Sequence, residues 1–133
     1  MAFAYKPKRD LDKEYILYFD DDNMWEPNHL ETMVTVAEQN PSAALIASDA
    51  VWVGINDPDW RQIRPCRFRQ GAVDLGQLMY KAELFKKYGY FDARPRRKQR
   101  YDWELIKKIV DGEGTDKIVY TKLPTFIMSY RKK

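Results

Sequence analysis

Residues 15–19, Tyr-Ile-Leu-Tyr-Phe, run without a break into Asp20-Asp21-Asp22-Asn23. No other junction constrains the chain so tightly. Five β-branched, aromatic and aliphatic residues in a row predict a buried strand. Three successive carboxylates at its C-terminal end repel one another, and a bound cation or a retained proton relieves that repulsion. Open α/β sheets place ligands just outside the carboxyl ends of their strands. Hard oxygen ligands there suit Mg²⁺ or Mn²⁺. An Asp/Asn turn that bonds its own backbone satisfies the same residues. Turn and metal site both stand on spacing alone.

With 133 residues, 44% hydrophobic and 14% aromatic, the chain is expected to form one domain with a real core. No apolar run approaches the roughly 18 residues that span a bilayer, and the opening residues do not read as a signal peptide. The one cysteine, Cys66, excludes an internal disulfide or a multi-cysteine zinc site and reads as a bystander. The expected location is cytoplasmic, free or peripherally at a membrane. The one histidine, His29, argues against a Ser-His-Asp triad and is expected at the surface or in a capping role.

Net charge is +3, and much of the positive charge is clustered. Arg94, Arg96, Arg97, Lys98 and Arg100 lie close together, and Arg131-Lys132-Lys133 closes the sequence. Such runs read as solvated loops or as sites for an anion. No recognition-helix, RNA-binding or zinc-finger signature accompanies them, so no nucleic-acid partner is expected.

Residues 1–14 are mostly polar and read as a surface lead-in. Pro27 suits the first position of a helix, with Leu30, Met33, Val34 and Ala37 at helical spacing and Asn40-Pro41 as the stop. Residues 43–53 predict a strand interrupted by Ser48-Asp49, with Trp25 and Trp52 as core aromatics. A long loop carrying Arg61, Arg64, Arg67 and Arg69 follows. Residues 73–80 read as extended around Gly76, and residues 82–88 as a short helix ended by Gly89. The basic loop spans residues 92–100, after which Leu105, Ile106, Ile109 and Val110 trace a helix face. Two short strands are expected over residues 117–120 and 125–130. Alternating strands and helices predict a three-layer α/β/α sandwich with a mixed sheet.

The acidic segment through Trp25, Pro27 and Leu30 resembles the metal-binding Asp-X-Asp segment of family 2 glycosyltransferases, which have the GT-A fold. Two further blocks match in order. Gly76-Gln77-Leu78-Met79-Tyr80-Lys81, with Tyr88-Gly89-Tyr90-Phe91-Asp92 downstream, is similar to the segment ending in Gly-Gly-Phe-Asp. Tyr101-Asp102-Trp103-Glu104-Leu105 resembles the Glu-Asp-Trp-Asp-Leu block that carries the catalytic base. The resemblance implies transfer of a sugar from a nucleotide-diphosphate donor to a saccharide or other hydroxyl acceptor, with inversion. It implies Asp20 and Asp22 at Mn²⁺ or Mg²⁺ and the donor, with Asp102 as base. Arg97 and Arg100 are expected at the diphosphate, and Trp103 and Gly76 at the acceptor.

The departures limit that reading. Tyr101 replaces the usual Glu before the base, and Gly89-Tyr90 replaces Gly-Gly. Nothing in residues 1–14 can stand for the family's N-terminal nucleotide-binding half. Without those strands, residues 15–19 or a neighbour should present a sheet edge that pairs with a second copy or a separate chain. A non-catalytic remnant, binding metal and nucleotide or serving as an interaction module, is the alternative to an enzyme.

Overall fold

The computed structural model describes residues 2–5, 15–18, 23–57, 59–69, 72–88 and 101–130. Its centre is the strand β4 (Leu45–Gly54). Side chains alternate across a strand, and here both faces are apolar. Leu45 and Ala47 pack with two sets of buried residues that share Phe68 and Val110, and Ile46 packs with a third. A strand buried on both faces requires a layer above and a layer below.

The helix α1 (His29–Gln39) supplies one layer. Met33 and Ala37 pack with Tyr15, Leu17, Ile46 and Met79. The helices α2 (Ala82–Tyr88) and α3 (Tyr101–Glu113) supply the other. Leu84, Leu105 and Ile109 pack with Leu45, Tyr80 and Ile118. The Tyr88 hydroxyl donates to Glu113 at 2.5 Å, and the Lys87 ammonium reaches the same oxygen at 2.8 Å, pinning α2 to α3. The three-layer α/β/α sandwich expected from the sequence is the fold observed.

Before β4 come β1 (Ala2–Tyr5), β2 (Tyr15–Tyr18) and β3 (Asn23–Trp25). After it come β5 (Arg61–Arg64), β6 (Leu78–Lys81) and β7 (Ile118–Tyr130). The sheet order is β1-β2-β6-β4-β7-β3, with β5 paired to the far half of β4. Because β6 is antiparallel to both β2 and β4, those two strands are parallel to each other and to β7. The carboxyl ends of β2, β4 and β7 therefore share one end of a mixed sheet.

Several expectations change. Ala2–Tyr5, read as part of a polar lead-in, forms β1 and pairs antiparallel with β2. With β6 on its other side, β2 is interior, and among the described residues its neighbour β1 takes the edge, the second of the two places expected for it. Residues 61–64, read as loop, form β5, whose side chains are exposed throughout. The two short strands expected at the C-terminus are one strand, β7. Pro124 suggested a break, but the register against β4 shifts around Asp49, and this irregularity accommodates the proline. Lys122 takes a left-handed φ of 60° beside it.

Candidate functional site

At the carboxyl end of β2, beside the middle of β4, the chain makes a single 3-10 turn, Leu75–Gln77, before entering β6. A reciprocal pair of bonds builds it. The Asp74 carboxylate accepts from the Gly76 amide at 2.8 Å, and the Gln77 side-chain carbonyl accepts from the Asp74 amide at 2.8 Å. The Gln77 side-chain amide then donates to the Ser48 carbonyl at 2.9 Å, tying the turn to β4 where its apolar run is interrupted. Gly76 is buried against Phe126, and a Cβ there would collide with the phenyl ring.

The N-terminal end of α3 lies over this turn. Trp103 is half-buried and, with Ile106, packs against Leu75, Leu78 and Ala47. The backbone of Asp102 is in the first turn of the same helix. Two blocks separated by about two dozen residues, the one carrying Gly76 and the one carrying Asp102 and Trp103, thus meet at one place. The register adds the end of β2. Leu17 and Ile46 both pair with Met79, so the last described residues of β2 lie at this same level of the sheet.

The residues Asp20, Asp21 and Asp22, the basic loop with Arg97 and Arg100, Gly89, and the tail Arg131-Lys132-Lys133 lie outside the described residues. Among the described residues no three His, Cys, Asp or Glu side chains gather in a way that could hold a metal ion.

His29 is not at the surface. It is fully buried at the start of α1, with Nδ1 2.7 Å from the Thr125 hydroxyl and its ring 4.9 Å from that of Trp25. Among the described residues its Nε2 has no hydrogen-bond partner. Burial pulls its pKa down to about 4, so the ring is neutral at pH 7. The buried stripe of α1 is His29, Met33 and Ala37, a strict four-residue repeat, while Leu30 is 42% exposed. Extending that repeat backward from Met33 was the signal available for His29. Cys66 is buried, its amide donating to Asp49 at 2.8 Å. Burial first, and the Asp49 charge second, push its thiol up to about 12, so it is no nucleophile.

Beyond the 3-10 turn, the far half of β4 borders an open cleft of about 740 Å³. Trp52, Arg64, Arg67, Arg69, Asp74 and Gln77 line it. The Arg64 guanidinium lies over the Trp52 ring, 4.1 Å from its centre. Sequence reading left these arginines scattered along a loop; β5 and the segment after it bring three of them together.

A mixed sheet between helical layers, with conspicuous chemistry gathered where its parallel strands end, is the arrangement of a GT-A-like nucleotide-sugar transferase domain. The family model for Glycosyl transferase family 2 matches residues 9–110, more than half of the chain. The protein belongs to that family. No curated protein matches the sequence as a relative. Among the described residues no helix is long and apolar enough to cross a membrane.

Proposed function

We propose that this domain transfers a sugar from a nucleotide-diphosphate donor to an acceptor hydroxyl, with inversion and with a divalent cation. The convergence of the β2 end, the Gly76 turn and the first turn of α3 at one level of the sheet carries this reading. Asp20 and Asp22 would hold Mn²⁺ or Mg²⁺ and the donor, with Arg97 and Arg100 at the diphosphate. The ion, when bound, neutralises charge growing on the leaving diphosphate.

Asp102 would take the proton of the attacking hydroxyl. Trp103 and Gly76 would border the acceptor.

The test is donor hydrolysis and sugar transfer with Mn²⁺ across a set of nucleotide sugars. Asp22→Ala and Asp102→Asn should each lower the rate about 100-fold or more. Rates equal to wild type for both variants would remove the assigned roles.

A further inference from the structure

We propose that the cleft bordered by Trp52, Arg64, Arg67 and Arg69 binds an anionic saccharide, a sugar bearing a phosphate or carboxylate group, as the acceptor. Among the described residues three guanidinium groups line this cleft with one carboxylate, that of Asp74. The Asp74 carboxylate is already engaged by the Gly76 amide. Among the described residues no ion pair holds Arg64, Arg67 or Arg69. Three like charges around one concavity repel one another, and an anion converts that repulsion into attraction. Guanidinium groups present forked donors that match the oxygens of a carboxylate or phosphate.

The walls suit a sugar as well as a charge. Cleft volumes of small-molecule sites run from about 300 to 1,000 Å³, and this one, at about 740 Å³, falls inside that range. Trp52 is half-buried and pairs across β7 with Met128, which also lines the cleft. An indole beside a thioether makes an apolar wall for the C–H face of a pyranose. Arg64 held over Trp52 is pre-positioned by cation–π attraction, which lowers the ordering cost of binding. A cleft of this size fits one or two sugar rings rather than a nucleic-acid backbone, which needs an extended basic track.

The cleft adjoins the donor side of the fold. Asn23, the residue after Asp22, pairs with Met128, which lines the cleft beside Trp52. On the other side only β6 lies between β2 and β4, a span of two strand spacings, about 10 Å. An acceptor anchored by its anionic group beside β4 could extend a hydroxyl toward the end of β2. Naming the ligand an acceptor rests on the transfer reaction proposed above; binding it requires neither a metal ion nor Asp102.

The experiment is titration of the full chain, followed by calorimetry and tryptophan fluorescence, with glucose 6-phosphate, glucuronate and glucose in low salt without metal. UDP with Mn²⁺ is titrated in parallel. At least one anionic sugar should bind about tenfold or more tighter than glucose, and added salt should erode the difference. Arg64→Gln and Arg67→Gln should each weaken that sugar about five- to tenfold and leave UDP unchanged. Which anionic sugar binds tighter distinguishes phosphate from carboxylate. Both arginines are exposed, and a thermal melt confirms that the variants fold. Equal binding of glucose and both anionic sugars, no sugar binding, or variants that bind like wild type would overturn the proposal. So would a matching loss of UDP binding, which would make the cleft part of the donor site. Failure of the Asp22 and Asp102 variants to change transfer, with anionic-sugar binding intact, would instead remove the transfer reaction alone.

Discussion

The two halves of β4 do different work. From Leu45 to Ser48 the strand is flanked by β6 and β7, and every side chain is buried. From Trp52 to Gly54 it keeps β7 but exchanges β6 for β5, and the side chains become half-buried. One strand thus passes from a core sealed on both faces to the wall of a cleft. The change happens at Ser48 and Asp49, where the register against β7 shifts, Gln77 bonds the Ser48 carbonyl, and Asp49 receives the Cys66 amide. A sealed half anchors a half that holds the half-buried Trp52 beside the arginines of β5 and the segment after it. Chemistry in such a fold belongs where burial is being given up.

The division is breakable. Ile46→Ala removes buried methylenes from the packing of Met33, Leu17 and Met79, and should cost about 3 kcal/mol in urea unfolding. Next in size is the pH response of His29, whose folded pKa lies below its unfolded one. The unfolded state therefore binds a proton first as pH falls. His29 contributes fully above about pH 6.5, and its contribution is lost progressively toward about pH 4, by about 3 kcal/mol. Comparing urea midpoints at pH 7 and pH 4.5 for wild type and His29→Gln isolates it: the variant should lose less stability on acidification. An equal loss in both would remove burial of the neutral ring as the cause. The smallest effect is expected at Trp52→Ala, about 1 kcal/mol, because the indole is half-exposed and surrendering Arg64 stacking costs little. A loss as large as that of Ile46→Ala would erase the distinction between the halves.

How far the sequence was legible follows the same line. Where burial dictates pattern, reading succeeded: the apolar run of β4, the α2 span and the Leu105, Ile106, Ile109 face of α3 all declare themselves. Strand β5 did not, because Arg61-Gln62-Ile63-Arg64 is exposed at every position and is held by pairing with β4 rather than by alternation. Pro124 concealed the continuity of β7, since a proline inside a strand ordinarily marks its end. His29 was misjudged because a polar residue beside a helix start resembles a cap, whereas its ring fills the space between Trp25 and Phe126. The order of the three motif blocks was visible by resemblance to the family. That β2 ends level with the Gly76 turn, under the first turn of α3, needed the register. The cleft was not visible at all: Arg64, Arg67 and Arg69 converge while Arg61, equally basic, is carried away opposite Val53.

Cys66 gives this layout a temporal side. Its thiol is protonated at any ordinary pH and packed with Leu75, Leu78 and Ile106, one residue before the arginine-bearing segment that closes the cleft. A sulfur so placed meets reagents only while that segment is lifted. Its oxidation and alkylation are therefore governed by how often the wall of the cleft breathes, and the single thiol of the chain serves as a clock for that opening.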